Sequence, residues 1–383
     1  MARFAFVTWD GGGNASPAIG IAQELRLRGH DAIFAGYETQ RKRFEAQEFD
    51  FITLRRSGSF DIYHPRRVAE RIPFIANVWA CPAHLEDIPD AVEETCADAL
   101  IIDFMMQGAL AAARRLSMPV AVLAHSSIAG LTPPPESSLG GRLLAVTNRL
   151  REEAGLSALT RLNDGWAGQP ALVTTIPELD PAATDAGALV RYVGPIFERF
   201  PDMDWNSPWE AGDDCPLVLV SFTTTGLWDQ RGRIRNTLDA ICDEPVRVLV
   251  TAADPGDIGA IPANAVIRQF VPHAAVLPAA AVTVTHAGHG TESASLAYGV
   301  PIVALPNASA DQPFLAATLQ RLGAGLALDG ESEPEAVRSA VRAIMTQPSY
   351  ATVAKTLAAA IHAAPGINGA TAELERLALA ARS

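Results

Sequence analysis

Cysteine is scarce in this sequence, and its cysteines form no recognisable pattern. Four occur among 383 residues, at positions 81, 96, 215 and 242. None belongs to a CxxC pair, so the spacing predicts neither a zinc site nor the disulfide framework of a small secreted domain. We therefore expect a chain that works in the reducing environment of the cytoplasm.

Long apolar runs and a surplus of positive charge are lacking as well. The first apolar segment, residues 4–9, is too short for a membrane span or for the core of a signal peptide. The chain carries 30 Lys and Arg against 43 Asp and Glu, a net charge of −13. This balance argues against binding to nucleic acid or anionic lipid through bulk electrostatics. We therefore expect neither a nucleic-acid partner nor a membrane span.

The length and the apolar content suit two domains. A chain of 383 residues with 49% hydrophobic side chains is long for one core and sufficient for two. Residues 201–214 concentrate Pro, Asp and Trp with no clear period, which is typical of a linker. We expect domains at 1–200 and 215–365, followed by an alanine- and leucine-rich helix within 366–383.

The N-terminal residues have the pattern of a β-turn-α unit. A strand at 3–9 precedes a glycine-rich turn at 10–17 and a helix at 18–28, for which Ser16 is the expected N-cap. A strand at 32–35 completes a βαβ unit and implies a parallel sheet. Further units of this kind predict an α/β protein. A nicotinamide dehydrogenase with Glu38 as ribose ligand is an alternative, but the glycine spacing is not GxGxxG.

A second glycine-rich turn follows a Val- and Thr-rich strand at 281–285 and precedes a helix at 291–297. Free N–H groups and the positive dipole end of a helix can hold a diphosphate, and glycines let the backbone approach it closely. His286 and Thr291 add side-chain hydrogen bonds. The pattern predicts a phosphate site, with a purely structural turn as the alternative.

Three motifs in this half carry a resemblance to a known family. Phe270-Val271-Pro272-His273, then His286-x-Gly288-x-Gly290-Thr291, then Asp311-Gln312 resemble the nucleotide-sugar signature of family 1 glycosyltransferases. That resemblance implies a GT-B fold, with two doubly wound, Rossmann-like parallel sheets facing across a cleft. It also implies that the C-terminal helix returns to the first domain.

The resemblance assigns donor-binding roles to individual residues. Phe270 stacks on the nucleobase and the backbone of Val271 pairs with it, while Asp311 and Gln312 hold sugar hydroxyls. His286 and Thr291 hold the diphosphate. The implied donor site is Thr223, Thr224, Phe270, Val271, His286, Gly288, His289, Gly290, Thr291, Asp311 and Gln312.

The reaction implied is an inverting, metal-independent transfer to a small acceptor. The donor is a UDP- or dTDP-linked hexose or deoxyhexose, which serves as co-substrate, and no other cofactor is expected. Loops at 57–89 and 132–141 carry aromatics and prolines, among them Phe60, Tyr63, Phe74 and Trp79, and suit an apolar or aromatic natural product. Whether the protein forms a homodimer is left open.

The catalytic base is the first departure from the family pattern. Family members commonly carry a Gly-His-x-x-Pro turn whose His is the base, oriented by an Asp after a later strand. Here Asn14 stands in place of that His, and its amide cannot accept the proton. Asp103 still matches the orienting Asp.

Three routes to acceptor deprotonation therefore stay open. Asp10 or Asp103 acts as base directly, or through a water held by Asn14. His125, at a strand end, is the second candidate. In the third route, the acceptor is acidic enough to need little help, and Asn14 only positions it. We favour a carboxylate.

The ribose contact is the second departure. Related signatures often have a Glu three residues after the Thr, but here that position is Ala294, while Glu292 follows Thr291 directly. The missing carboxylate favours a deoxyribose donor such as a dTDP-sugar over a UDP-sugar, and we expect the enzyme to tolerate both. A non-catalytic sugar-nucleotide binding module and a GT-B nucleotide-sugar epimerase are the alternative functions.

Overall fold

The computed structural model divides the chain into two compact units, residues 1–199 with 364–383, and residues 200–363. Tyr63, Phe74 and most of the predicted linker lie outside the described residues. The residues described are 1–61, 64, 70, 77–200, 205–209, 215–223, 225, 228–254, 256–308 and 311–380.

The first unit is built on a seven-stranded, all-parallel sheet with strand order β3-β2-β1-β4-β5-β6-β7. The order reverses between β1 and β4, and ligands of open α/β sheets bind outside the carboxyl ends of the strands at such a point. The strands are β1 Arg3–Val7, β2 Asp31–Gly36, β3 Asp50–Thr53, β4 Ala99–Asp103, β5 Val120–Ala124, β6 Ala171–Val173 and β7 Val190–Tyr192.

Helices cover this sheet, and the first of them begins earlier than predicted. It starts at Ala15, directly after Asn14, so the prediction of Ser16 as N-cap is wrong. The Ser16 hydroxyl instead accepts a hydrogen bond from the backbone N–H of Glu198, at 3.1 Å. Among the described residues, the α-helices of the unit with both ends defined are Ala15–Leu27, Arg41–Glu45, His84–Thr95, Gln107–Ala113, Ile128–Leu131, Ser138–Glu153 and Gly366–Ala380.

The core of the first unit includes the C-terminal helix. Phe4, Phe6 and Phe34 are fully buried, and Leu374 and Ala378 of helix Gly366–Ala380 lie in the same apolar cluster. Burial of large apolar side chains contributes roughly 1.5–3 kcal/mol each. This cluster holds the end of the chain on the sheet that its beginning forms.

The second unit contains a six-stranded, all-parallel sheet of order β10-β9-β8-β11-β12-β13. Its order reverses between β8 and β11, so the turns after these two strands lie at the topological switch point. The strands are β8 Leu217–Ser221, β9 Arg247–Thr251, β10 Ala265–Arg268, β11 Ala280–Thr285, β12 Ile302–Ala304 and β13 Gly325–Ala327.

In the second unit, the helix after the glycine turn at the candidate site begins earlier than predicted. The helix predicted to begin at Thr291 begins at His289, because Gly288 is its extended N-cap. In the part of the chain that the structure describes, no helix combines the length and apolar content needed to cross a bilayer. The α-helices of the unit are Arg231–Ile241, His273–Val276, His289–Ala297, Gln312–Leu322, Pro334–Thr346 and Pro348–Ala363.

Two other sequence expectations differ from the structure. The sequence of residues 142–166 is compatible with one helix. The structure has helix Ser138–Glu153 and, separately, a short 3-10 helix at Leu162–Trp166, because Gly155 adopts a left-handed φ of 72° just after the first helix. Within 57–89, where the sequence indicates long loops and short helices, a helix begins at His84 and runs on to Thr95 with Pro89 in its interior.

Candidate active site

Three neighbouring strands of the first unit bring candidate catalytic residues to one edge of the sheet. Asp103 is the last residue of β4, and His125 directly follows β5. Trp9 and Asp10 follow β1, which pairs with β4. Because all three strands are parallel, their carboxyl ends lie at the same edge, beside the topological switch point.

Asp103 and His125 form a buried hydrogen-bonded pair. Nδ1 of His125 lies 2.8 Å from Oδ2 of Asp103. Asp103 is 1% exposed and His125 8%. A carboxylate accepts at both oxygens, so it holds the imidazole tautomer that carries its proton on Nδ1.

The other oxygen of Asp103 is held by donors from two loops. The indole Nε1 of Trp9 donates to Oδ1 at 3.2 Å, and the backbone N–H of Met105 donates to the same oxygen at 2.9 Å. Neither contact was predicted from the sequence. Together they fix the orientation of the carboxylate that His125 contacts.

Asn14 closes the first glycine turn and also reaches Asp103. Its Oδ1 accepts from the N–H of Gly11 at 2.6 Å, and its Nδ2 donates to the carbonyl of Trp9 at 2.8 Å. Nδ2 also lies 3.5 Å from Oδ2 of Asp103. The amide therefore orders the turn and adds a weak contact to the buried carboxylate.

Asp10 is bound within the same turn by a cation. Its Oδ1 lies 2.7 Å from Nη1 of Arg43 and accepts from the N–H of Gly12 at 3.0 Å. Arg43 also binds the carbonyl of Gly12 and the carboxylate of Glu198. These contacts make Asp10 part of an ion-paired support for the turn.

In the second unit, the turn after β11 presents the start of a helix. Ala287 has a left-handed φ of 57°, which is uncommon for a residue with a side chain, and Gly288 is extended. A Cβ added at Gly288 meets Nε2 of His286 at 2.4 Å. The glycine is therefore required by the close approach of the imidazole.

The imidazole of His286 is neutral at physiological pH. Burial, together with the nearby Arg233 guanidinium, lowers its pKa to about 3. Its Nδ1 lies 3.4 Å from the hydroxyl of Thr285. A neutral ring can donate one hydrogen bond to an anion and brings no charge of its own.

The first turn of helix His289–Ala297 contains three of the predicted donor residues. His289, Gly290 and Thr291 are all half-buried. Nε2 of His289 lies 3.1 Å from the hydroxyl of Ser293 one turn later, so this ring contacts its own helix. The N–H groups of this turn have no partner within the helix, as at every helix start.

The loop after β8 lies on the other side of the switch point. The Thr223 hydroxyl accepts from the N–H of Thr225 at 3.1 Å and lies 3.0 Å from the Thr225 hydroxyl. Thr224 lies outside the described residues. Thr223 therefore closes a local turn, and its predicted contact with phosphate stays a prediction.

Phe270 and Val271 differ sharply in exposure. Phe270 is 50% exposed, and its ring centroid is 5.4 Å from that of Phe200, whereas Val271 is 7% exposed. Ala294 lies in the same apolar cluster as Val271. An exposed aromatic beside a buried segment is suited to stacking on a planar ligand.

Gln312 is oriented by a network that the sequence did not predict. Its Oε1 accepts from the N–H of Asn307 at 3.0 Å, which leaves its amide nitrogen as the group able to donate to a ligand. Oδ1 of Asn307 accepts from the buried Arg233 guanidinium and lies 3.4 Å from Nε2 of Gln230. Nε of Arg233 donates to the carbonyl of Gly330 at 2.5 Å.

Glu292 is a buried acid on the helix that follows the glycine turn. It is 2% exposed, and burial, with the charge of Asp311, raises its pKa to about 8. Its Oε2 has no hydrogen-bond partner among the described residues. The side chain is therefore protonated at neutral pH.

Comparisons with known proteins agree with this arrangement. Residues 235–377 match the family described as "Erythromycin biosynthesis protein CIII-like, C-terminal domain". The 4'-demethylrebeccamycin synthase of Lentzea aerocolonigenes is 28% identical, over 91% of this chain and 93% of its own length. The chain is a glycosyltransferase with the GT-B fold. The predicted enzyme class and fold are confirmed.

Solved structures that resemble this glycosyltransferase cover nearly all of it. The glycotransferase of kitacinnamycin matches with a TM-score of 0.79 at 21% identity, over 98% of this chain and 99% of that chain. Glycosyltransferase VinC, solved in complex with DTDP, matches with a TM-score of 0.72 at 18% identity, over 98% and 99%.

The glycosyltransferase groups its predicted catalytic residues closely. Asp103, His125 and Asn14 share one hydrogen-bonded cluster, and Asp10 lies in the adjoining turn. Sequence reasoning missed Trp9 and Arg43 here, although Trp9 adjoins Asp10 in the turn already singled out. It also missed Arg233, because an arginine on an ordinary helix carries no sequence signal for burial.

Proposed function

We propose that this glycosyltransferase inverts the sugar configuration and works without a metal. In this proposal it moves a hexose or deoxyhexose from a UDP- or dTDP-sugar to a small apolar or aromatic natural product. The proposal rests on one observation above all, the glycine turn that joins β11 to helix His289–Ala297 at the switch point of the sheet.

The electrostatics of this turn suit a leaving diphosphate. The N–H groups at the start of a helix and the positive end of its dipole attract an anion. His286 is neutral, and Arg233 supplies a buried positive charge near it. Charge that develops on the diphosphate as the sugar leaves is therefore stabilised by protein groups in the role that a divalent cation has in other transferases.

Buried aromatic rings adjoin the first-unit cluster and make its surroundings apolar, which suits an apolar or aromatic acceptor. The rings of Trp9 and Phe60 lie 5.6 Å apart, and that of Tyr37 lies 5.4 Å from Phe60. The Trp9 ring is 6.3 Å from that of His125. Trp79 is also among the loop aromatics predicted to suit an apolar acceptor. Its role is structural, since it is buried and its Nε1 donates to the hydroxyl of Thr147 at 2.8 Å.

The proposed tolerance for dTDP and UDP follows from Ala294. This side chain lies in an apolar cluster with Val271, so the helix offers no carboxylate at the position where related signatures have one for the ribose 2′-hydroxyl. DTDP is the ligand with which the structurally similar VinC was solved. We expect dissociation constants for dTDP and UDP within about tenfold of each other, equivalent to 1.4 kcal/mol.

Two glycines allow a matched test of where the diphosphate binds. A Cβ added at Gly290 or at Gly13 meets no atom within 4 Å among the described residues, and neither glycine has a positive φ. Gly290→Ala places a methyl group where the proposed diphosphate approaches. Gly13→Ala places the same group in the first glycine turn, away from the proposed diphosphate. We expect Gly290→Ala to weaken dTDP binding at least tenfold and Gly13→Ala to leave it unchanged.

Calorimetric titration of both variants with dTDP gives the answer, and the reverse pattern overturns the proposal. Turnover is then measured by mass spectrometry with a panel of UDP- and dTDP-sugars and aromatic or polyketide acceptors. Incubation with donor alone detects an epimerase, and a binding module gives no product. We expect EDTA to leave the rate of transfer unchanged.

A further inference from the structure

Transfer to an alcohol acceptor requires a group that removes its proton, and Asn14, which stands where the resemblance places the base, does not supply one. Asn14 has no usable basic nitrogen, and its amide is engaged by the N–H of Gly11 and the carbonyl of Trp9. A general base must lie within reach of the acceptor and be unprotonated at working pH. The remaining candidates are Asp10, Asp103 and His125.

The contacts of the two carboxylates do not favour either as the base. Asp103 is 1% exposed, and its oxygens accept from Trp9, Met105 and His125, with Asn14 at 3.5 Å. These donors occupy both oxygens of Asp103, so neither oxygen is directed at an acceptor. Oδ1 of Asp10 is occupied by Nη1 of Arg43 at 2.7 Å and by the N–H of Gly12 at 3.0 Å.

We infer that His125 is the catalytic base of this enzyme and that Asp103, fixed by the indole N–H of Trp9, is its positioning residue. The inference rests on the proposed function. Nδ1 of His125 donates to Asp103, so in the neutral ring Nε2 carries the lone pair that accepts a proton. The histidine comes from the end of β5, whereas the resemblance places it in the turn after β1.

The step balances without a further reagent. The acceptor O–H bond breaks, its proton moves to Nε2 of His125, and its oxygen forms a bond to C1 of the donor sugar. The bond between C1 and the diphosphate oxygen breaks, and the electron pair leaves with the nucleoside diphosphate. Asp103 stabilises the imidazolium that forms, and the proton then passes to solvent.

Trp9 connects the positioning residue to the aromatic rings beside it. Its Nε1 donates to Oδ1 of Asp103, while its ring lies edge-on to those of Phe60 and His125. The carboxylate therefore keeps its second oxygen directed at Nδ1 of His125. Removing the indole N–H leaves more negative charge facing the imidazole, which strengthens its hold on the proton.

A matched control for His125 exists in the same unit. His30 also contacts a carboxylate, with Nε2 3.1 Å from Oε1 of Glu375, but it precedes β2 and so lies at the amino edge of the sheet. Asn can replace either histidine and keep one N–H donor. His125→Asn and His30→Asn therefore each replace a histidine that contacts a carboxylate, one at each edge of the sheet.

The experiment compares an aliphatic alcohol with an acidic nitrophenol as acceptor. For His125→Asn we expect kcat to fall by about 10²–10⁴-fold with the alcohol, the usual contribution of a general base. We expect a smaller fall in kcat with the nitrophenol, because its acidic hydroxyl loses its proton without a strong base. In His125→Asn, the decline of kcat/KM at acid pH disappears, while the affinity for dTDP matches the wild type. The control His30→Asn keeps the kcat, the pH profile and the dTDP affinity of the wild type.

Two results overturn the inference while leaving the proposed function intact. One is a His125→Asn variant that keeps its kcat with the alcohol. The other is an equal loss with both acceptors and an unchanged pH profile, which identifies a structural role. If the wild type transfers no sugar from any donor, the proposed function itself fails.

Trp9→Phe provides a second variant should His125→Asn not fold. It keeps an aromatic ring and removes the N–H that fixes Asp103. We expect the acid limb of kcat/KM to move to higher pH with dTDP affinity unchanged. An unmoved limb overturns the positioning role of Trp9.

Discussion

His125 and Asp103 contact each other across two neighbouring strands, with Nδ1 of the imidazole 2.8 Å from Oδ2 of the carboxylate. β4 pairs with β5 in parallel, and Asp103 lies opposite Leu123 in that register. The pair therefore depends on sheet register and not on a flexible loop alone. Asp103 is the aspartate that the resemblance predicts as the orienting residue, and here it contacts a histidine that follows a different strand.

The tautomer of His125 can be tested through its partner. Asp103→Asn replaces an acceptor by an amide that can donate to Nδ1, which moves the ring proton to Nε2 and removes the lone pair needed for deprotonation. We expect kcat with an alcohol acceptor to fall by about 10²–10⁴-fold, with dTDP affinity unchanged. Steady-state kinetics and calorimetry measure these quantities. Wild-type kcat in this variant contradicts the assignment.

The sequence was sufficient for those features that are local. The glycine turns, the βα alternation and the family motifs around His286 and Asp311 each occupy a few consecutive residues, so their spacing predicts both the sheets and the region of the donor site. Helix starts were displaced by two or three residues at Ala15 and His289, because backbone geometry at Asn14 and Gly288 decides where the helix begins.

The contacts that distinguish this site depend on residues far apart in the chain. Trp9 and Asp103 are separated by 94 positions, and Arg233 and Asn307 by 74. No periodicity in the sequence indicates that two such distant residues are paired, since the pairing is set by strand register and by the path of loops. For the same reason the sequence left three candidate bases open, and only the contacts of Asp10, Asp103 and His125 distinguish them.

Asn14 is expected to be more important for stability than for proton transfer. Asn14→Ala leaves the N–H of Gly11 and the carbonyl of Trp9 without their side-chain partner, and a buried unsatisfied polar group costs about 1–3 kcal/mol. We expect the free energy of unfolding to fall by this order, measured by urea denaturation. The acid limb of the pH profile should remain.

Asn148 is a matched control for this variant. It holds both the N–H and the carbonyl of Leu159, at 2.8 and 3.0 Å. Asn148→Ala should therefore lose a similar amount of stability and keep its kcat. An Asn14→Ala variant that is as stable as the wild type but inactive would indicate that the amide takes part in the reaction.

The exposed ring of Phe270 should contribute to nucleotide binding and little to folding. Stacking of a base on an aromatic side chain is worth about 1–3 kcal/mol by alanine substitution, or roughly a 5- to 150-fold change in dissociation constant. We expect Phe270→Ala to weaken dTDP binding within this range, as measured by calorimetry, without lowering Tm. Tyr298, 46% exposed in the same unit, supplies the control. Equal dTDP affinities for Phe270→Ala and Tyr298→Ala contradict the stacking role.

Glu292 makes the stability of the second unit depend on pH. Its pKa is raised from 4.5 to about 8, mainly by burial and then by the charge of Asp311. The folded state therefore keeps a proton that the unfolded chain loses, and stability falls as pH rises from about 5 to 8. The slope approaches about 1.4 kcal/mol per pH unit for one group. Below pH 4.5 both states are protonated, and the contribution is constant.

Glu292→Gln removes this titration while keeping the size of the side chain. We expect the variant to match the wild type near pH 4.5 and to exceed its stability progressively up to pH 8, as measured by urea denaturation across this range. Glu333→Gln, at an exposed position of the same unit, should show no such trend. A difference between Glu292→Gln and wild type that does not change with pH means that the pKa of Glu292 is the same in the folded and unfolded states.

The same proton should affect binding of the donor. Glu292 lies in the first half of helix His289–Ala297, beside Asp311 and in the region where Arg233 lowers the pKa of His286. A protonated Glu292 adds no negative charge next to the proposed diphosphate, whereas an ionised one repels it. We therefore expect wild-type affinity for dTDP to fall above pH 8 and that of Glu292→Gln to stay constant, in calorimetric titrations at pH 7 and 9. Parallel losses in both proteins would place the titrating group elsewhere.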